Sequence, residues 1–177
     1  YHRGQGVKED IDKAFELYLK SAKQGFPYAN FEVAKMYRDG IGTDKDETKS
    51  RQYLQRAFKG FESLDQTSKD DKIQYRLGWM LQNGVGAEQD LTRAKEYYQK
   101  SAKMGNVFSS FALAKMVLKE ETSDPDELKK AIEFLQSVSD SNDVSLKDIK
   151  NTAAYLLGKL FLEDKVVAKN IVQAIRY

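Results

Sequence analysis

Apolar positions recur with helical period along the chain, and small residues mark one face of each predicted helix. In one class of segments an aliphatic residue comes directly before a small residue, as Leu77 does before Gly78. In the segments between them a small residue precedes a large one by four positions, as with Ala14 and Tyr18. Because residues three and four apart share one face of an α-helix, the pattern predicts alternating amphipathic helices, here named A and B. The small positions are Ala34, Gly78, Ala114 and Gly158 in the A helices, and Ala14, Ser50, Ala94, Ala131 and Ala174 in the B helices.

The predicted fold is therefore almost wholly α-helical. The expected helices cover residues 13–24, 28–38, 47–60, 69–82, 91–104, 108–119, 125–138, 146–162 and 171–177. Two polar stretches, 62–70 and 140–145, each lie between a B helix and the next A helix and are predicted to be longer connections. Each leads into a capping-box pattern, Ser68 with Asp71 and Ser145 with Asp148.

Gly-x-Gly turns separate the A helices from the B helices. The glycine pairs are Gly4/Gly6, Gly40/Gly42 and Gly84/Gly86, and an aspartate stands four residues after each pair, namely Asp10, Asp46 and Asp90. Glycine adopts the positive φ angles that end a helix, and an aspartate oxygen caps the free amides of the next helix. The turn after Gly84/Gly86 has lost its glycines, and Asp124 before Pro125 marks the helix start there. Asn170 takes the equivalent place in the last copy.

A larger period links the first half of the chain to the second. Adding 80 to the residue number takes Gly4 to Gly84 and Tyr18 to Tyr98. The two strings GQGVKEDIDKAFELYLKSAKQGF and GVGAEQDLTRAKEYYQKSAKMGN share their turn glycines, the aspartate, the Ala-x-x-x-Tyr pair and the run Lys-Ser-Ala-Lys. The repeats are expected at approximately 1–26 (partial), 27–70, 71–106, 107–145 and 146–177 (partial).

This combination of Gly-x-Gly turns, aspartate caps and Ala-x-x-x-Tyr helices resembles the Sel-1-like repeat, a relative of the tetratricopeptide repeat. The resemblance covers residues 1–177 as one solenoid and implies a right-handed α/α superhelix that gathers protein partners. The residues chosen at the repeat positions resemble those of bacterial proteins. Tyr1 aligns with Tyr37, at the end of an A helix, and Tyr177 falls inside a B helix. We therefore expect a fragment of a longer array, or ends that pack against another chain.

Composition narrows the chemistry that the chain can perform. Of 177 residues, 29 are Lys or Arg and 27 are Asp or Glu, so the net charge of +2 argues against a dedicated nucleic-acid binder. The absence of cysteine excludes disulfides and thiolate sites, and His2 is the only histidine. The glycine turns lack the Gly-Lys-Ser/Thr of a phosphate loop. We expect no enzyme, no metal and no cofactor, and a cytoplasmic location is favoured because no signal peptide or membrane span is visible.

The candidate binding residues form what we call the A-helix row. They lie on the side of the A helices away from the stripe Val33, Leu77, Leu113 and Leu157, which in a solenoid is the concave side. The row consists of Phe31, Lys35, Arg38, Tyr75, Trp79, Gln82, Phe111, Lys115, Tyr155 and Lys159. One interpretation is packing between neighbouring A helices with solvated lysines. The other is a groove with aromatic anchors and basic rims for an acidic peptide.

The sequence thus favours a non-catalytic protein-interaction scaffold whose partner it does not name. The alternative is a nucleic-acid-binding or accessory domain of a larger bacterial mobilisation protein of relaxase type, because lysines interleaved with aromatic residues permit stacking on single strands. A further prediction concerns Gly78 and Gly158. A glycine inside a helix costs ~1 kcal/mol against alanine, so we expect both to lie at close helix crossings.

Overall fold

The computed structural model describes residues 10–119 and 124–163, and within these ranges the chain forms eight α-helices, one short 3₁₀ helix and no strand. The α-helices are α1 (Ile11–Lys23), α2 (Pro27–Asp39), α3 (Glu47–Thr67), α4 (Asp71–Asn83), α5 (Leu91–Lys103), α6 (Val107–Val117), α7 (Pro125–Asp140) and α8 (Lys147–Glu163), with the 3₁₀ helix at Val144–Leu146. The predicted all-α fold is confirmed. The predicted helix at 171–177, the Gly4/Gly6 turn and His2 lie outside the described residues.

The helices divide between two compact units, residues 1–104 and 105–177. In the first unit each helix from α1 to α4 packs against the next one in the chain. In the second unit α7 packs against both α6 and α8. Helices α2, α4, α6 and α8 are the predicted A helices, and the other four are B helices. None of these helices, as far as the structure describes them, is long and apolar enough to cross a bilayer.

The predicted aspartate caps begin the B helices. Asp10, Asp46 and Asp90 each accept a hydrogen bond from the backbone amide three residues later, at 2.9, 2.8 and 2.9 Å respectively. Asp124 accepts from the amide of Asp126 at 2.8 Å. These bonds satisfy amides that have no partner inside the helix, which is why each B helix begins where the aspartate stands.

The second glycine of each described turn touches the preceding B helix. Gly42 and Gly86 have φ angles of 67° and 77°. A Cβ at Gly42 would lie 2.9 Å from the carbonyl oxygen of Ile11, and one at Gly86 would lie 2.4 Å from that of Leu54. Both the positive φ and the lack of space require glycine here. The turn therefore lies directly against the backbone of the preceding repeat.

The prediction of a connection at residues 62–70 is wrong. Helix α3 continues to Thr67, because Phe61 is fully buried and Leu64 is half-buried, so the apolar stripe extends past Gly60. The cap of α4 is Asp70, not Ser68, and its carboxylate accepts from the amides of Lys72 and Ile73. The added residues thus lengthen a helix instead of forming a loop.

The second predicted connection is present, but its cap differs from the prediction. Helix α7 ends at Asp140, the 3₁₀ helix follows, and α8 begins at Lys147. Asp143 caps the 3₁₀ helix by accepting from the amide of Ser145 at 2.8 Å. Ser145 is therefore the donor at this cap.

The core follows the predicted stripe, and Val33, Leu77 and Leu157 are buried while Leu113 is half-buried. At Gly78 the predicted close crossing is confirmed, because a Cβ there would lie 2.8 Å from the ring of Tyr98 on α5. At Gly158 it is not seen, since a Cβ would meet no atom of the described residues within 4 Å.

Candidate interaction surface on the A helices

In the first unit, the A-helix row brings two aromatic rings together. Phe31 on α2 and Trp79 on α4 are both half-buried, and their ring centroids are 6.1 Å apart with an interplanar angle of 71°. Edge-to-face pairs of this kind add ~0.5–1.5 kcal/mol beyond the area they bury. The pair joins neighbouring A helices while part of each ring stays in contact with solvent.

Two predicted cations of the row are already paired with acids on their own helix. The ammonium of Lys35 lies 2.8 Å from a carboxylate oxygen of Glu32. Arg38 donates two hydrogen bonds of 2.8 Å to Asp39, and this pairing holds the pKa of the Asp39 carboxyl below its ordinary value. The basic rim expected from the sequence is therefore largely neutralised along α2.

Arg76 is a residue of this surface that the sequence reasoning missed. Its guanidinium carbon lies 4.9 Å from the ring centroid of Phe31, and the residue is half-buried. The Arg76 side chain forms no ion pair or hydrogen bond with the residues that the structure describes. The equivalent position in α2 is Glu32, so the repeat pattern gave no signal for a cation here.

Tyr75 and Gln82 of α4 both contact Tyr98 of α5. The rings of Tyr75 and Tyr98 are 5.9 Å apart, and the Tyr98 hydroxyl donates a 2.8 Å hydrogen bond to Oε1 of Gln82. Burial raises the pKa of the Tyr98 hydroxyl well above its ordinary value, and the nearby Tyr75 adds to the shift. These two members of the row thus hold α4 against α5 at the Gly78 crossing.

In the second unit the row residues are more exposed. Phe111 is half-buried, with the ammonium of Lys115 5.7 Å from its ring centroid. Tyr155 is 68% exposed on α8, and Lys115 and Lys159 are exposed as well. The ring partner of Trp79 is Phe31 of its own unit.

An exposed aromatic pair at the start of α2 was also missed. Phe26 is 52% exposed and Tyr28 is 36% exposed, with ring centroids 5.7 Å apart. Tyr28 also packs edge-on against the buried ring of Phe61 at 4.8 Å. Partial burial raises the pKa of Tyr28, the charge of Asp70 raises it further, and the charge of Arg76 opposes the change. Tyr28 shares a helix face with Phe31, three residues later, and that spacing was an available signal.

The side chains on this surface are of types that contact partners at protein interfaces. Aromatic faces, one unpaired guanidinium and paired surface charges can hold a partner segment. Among the described residues, no group of three or more His, Cys, Asp or Glu side chains could hold a metal ion.

Comparisons with known proteins place the chain among repeat proteins. A curated relative, chitin synthase regulatory factor 3 of Schizosaccharomyces pombe, is 43% identical over 44 residues, which are 25% of this chain and 5% of that protein. A Sel1 repeat protein from Oxalobacter formigenes has a similar solved structure, with a TM-score of 0.52 and 19% identity over 97% of this chain and 72% of the other. A protective antigen of uropathogenic Escherichia coli with the same type of repeat fold gives a TM-score of 0.48 at 22% identity, covering 92% of this chain and 39% of the other.

The sequence model of the family described as Sel1 repeat matches residues 1–26, 27–60, 73–106 and 151–177. Together these matches cover more than half of the chain, and the helix pairs described above have the fold of the structural relative. The chain belongs to the Sel1 repeat family.

Proposed function

We propose that this chain is a non-catalytic scaffold that binds a protein or peptide partner through its A-helix row. Sel1 repeats generally mediate protein–protein interaction, and the row supplies a surface suited to that task. The observation that carries the proposal is the half-buried, solvent-contacting pair of Phe31 and Trp79. Tryptophan, tyrosine and arginine dominate the residues that contribute most to binding at interfaces, and here aromatic rings and Arg76 stand together.

Trp79 is the central residue of the proposed surface. Its aliphatic neighbour Leu77 is fully buried and belongs to the core, whereas Trp79 lies at the boundary between core and solvent. A large ring held in place by Phe31 loses little conformational freedom when a partner covers it. The cost of binding is therefore lower than it would be for a long flexible side chain.

The charges of the surface argue against a nucleic-acid-binding function. Non-specific binding to a nucleic acid requires several cations placed along one groove. Lys35 and Arg38 are instead paired with Glu32 and Asp39 at 2.8 Å, and the whole chain carries only +2. The observations thus favour a protein partner.

Selection of displayed random peptides on the immobilised chain would test the proposal. We expect the enriched peptides to lose ~2 kcal/mol or more of binding free energy with Trp79→Ala, as for a residue at the centre of an interface. Tyr53→Ala is the matched control, because Tyr53 is a half-buried ring on the B helix α3 with Arg56 5.0 Å over it. Peptides that bind Trp79→Ala as well as the original chain, or that are lost only with Tyr53→Ala, would refute the A-helix row as the binding surface.

A further inference from the structure

We propose that Arg76 is the anion-binding residue of this surface, and that it receives a carboxylate standing beside an apolar side chain in a partner peptide. The apolar side chain is seated on Phe31 and Trp79. This inference rests on the proposed function and specifies the chemistry of the partner segment.

The placement of Arg76 is the first observation. Its guanidinium lies over the ring of Phe31 at 4.9 Å, and Phe31 is in turn fixed by Trp79. A guanidinium carries its N–H groups in its own plane, where they match the two oxygens of a carboxylate. The side chain is thus ordered before a ligand arrives.

The absence of a partner among the described residues is the second observation. Lys35, Arg38 and Arg93 each have a carboxylate within 3 Å, at 2.8 Å in all three cases. Arg76 has none within the part of the chain that the structure describes. The carboxylate of Asp70 accepts two backbone amides at the start of α4. Arg76 is therefore a half-buried cation that an external carboxylate can reach without displacing an acid of the described residues.

The surroundings of Arg76 define the rest of the ligand. Its guanidinium lies over the ring of Phe31, which contacts Trp79, and the exposed Tyr28 is near enough for the charge of Arg76 to act on its hydroxyl. A carboxylate bound by Arg76 has the aromatic surface of Phe31 next to it, so the neighbouring residue of the peptide is apolar. A phosphate backbone fits less well, because it needs further cations at regular spacing and the neighbouring ones are paired.

The experiment uses the single tryptophan of the chain as a reporter. The indole N–H of Trp79 gives one resonance in a ¹⁵N-correlated NMR spectrum. We would titrate the chain with the blocked peptide acetyl-Leu-Asp-Phe-amide and, as its neutral match, with acetyl-Leu-Asn-Phe-amide. The Asp peptide should shift the Trp79 resonance and bind about two- to fivefold more tightly than the Asn peptide, a difference within the range of one solvent-accessible ion pair.

Variants of the chain assign that difference to Arg76. Arg76→Gln should remove the preference for Asp over Asn, and Arg76→Lys should keep only part of it, because an ammonium lacks the planar pair of donors. Arg56→Gln, which removes the guanidinium 5.0 Å over the ring of Tyr53 on the B helix α3, should leave the preference unchanged. Thermal unfolding of each variant shows whether the fold is intact.

Each outcome decides between the two proposals. Equal binding of both peptides at Trp79, or a preference that survives Arg76→Gln, overturns the role of Arg76 and leaves the A-helix row as a binding surface. No shift with either peptide also overturns it, and the display selection with Trp79→Ala then decides the proposed function separately. Stronger binding of an oligothymidylate at Trp79, with a steep dependence on salt, refutes both proposals in favour of a nucleic acid.

Discussion

Gly78 and Gly158 occupy equivalent positions 80 residues apart, yet their surroundings differ. A Cβ at Gly78 would lie 2.8 Å from two ring atoms of Tyr98, whereas a Cβ at Gly158 meets no described atom within 4 Å. Gly78→Ala should therefore lower the free energy of unfolding by ~1–3 kcal/mol despite alanine's better helix propensity. Gly158→Ala should be neutral or stabilise by up to ~1 kcal/mol. Urea unfolding followed by circular dichroism measures both, and equal effects at the two glycines would contradict this account.

The buried hydroxyl of Tyr98 predicts a loss of stability at high pH. Its pKa in the folded chain is raised above the ordinary value of 10.0, so folding favours the protonated form. The stability that the protonated Tyr98 hydroxyl contributes to the fold is therefore fully present below pH 10.0 and is lost as the pH rises above that value. We expect the urea midpoint of the original chain to fall as the pH is raised above about 10, where tyrosine in the unfolded chain titrates.

Tyr98→Phe should reduce that fall, because the variant has no hydroxyl to ionise. At neutral pH the same variant should lose ~0.5–1.5 kcal/mol with the hydrogen bond to Gln82. Tyr155→Phe is the control, since Tyr155 is 68% exposed and its replacement should leave the pH dependence as it was. A fall of the same size in Tyr98→Phe would show that another group causes it.

At the scale of single residues, the sequence predicts those whose role follows from backbone rules. The aspartate caps and the Gly78 crossing could be predicted because they depend on helix ends and on helical period. The role of Arg76 could not be predicted. It depends on the ring of Phe31 on another helix and on the pairing of the neighbouring cations Lys35 and Arg38 with acids. Contacts between residues far apart in the chain leave no local signal.

At the scale of elements, α3 shows how burial overrides composition. The polar residues after Gly60 predict a connection between two helices. Phe61, however, is fully buried and contacts Tyr28. Glu62 also pairs with Arg93 of α5 at 2.8 Å, although such a partly exposed pair contributes only ~0.2–1 kcal/mol. The extension of α3 is therefore held mainly by one aromatic side chain.

Phe61→Ala should consequently destabilise the chain by ~3–5 kcal/mol, the cost of truncating a buried aromatic residue. Gln66→Ala is the control, since Gln66 is exposed on the same extension and its replacement should change stability by less than ~0.5 kcal/mol. Chemical denaturation gives both values. A cost for Phe61→Ala as small as that for Gln66→Ala would mean that the extension behaves as a surface loop.

At the scale of the whole molecule, the near balance of charge predicts weak binding to nucleic acids. With 29 basic and 27 acidic residues, the chain lacks the excess of cations that releases counterions from a strand. We expect the Kd for oligothymidylate at physiological salt to be weaker than ~100 μM, the weak end of non-specific binding. Fluorescence anisotropy across a salt series measures this Kd. Micromolar affinity that falls steeply with salt would favour a nucleic-acid-binding function.

The family and the all-helical architecture could be read from the sequence because a repeated pattern multiplies weak local signals. The A-helix row was only partly predictable. The helical period gives the faces of Phe31 and Trp79, but not that Tyr75 and Gln82 contact Tyr98, nor that Lys35 and Arg38 are neutralised along their own helix. Side-chain partners decide those roles, and the spacing of residues does not specify partners.

The contact between the glycine turns and the preceding helix bears on how such a chain can diverge. At Gly42 and Gly86 the nearest atoms to an added Cβ are the carbonyl oxygens of Ile11 and Leu54, and every residue carries such an oxygen whatever its side chain. Mutations on the solvent-facing surfaces can therefore accumulate without changing how one hairpin meets the next. A pair of A and B helices taken from another protein of this kind should fit here if its turn keeps the second glycine. New binding partners can then arise without a new fold.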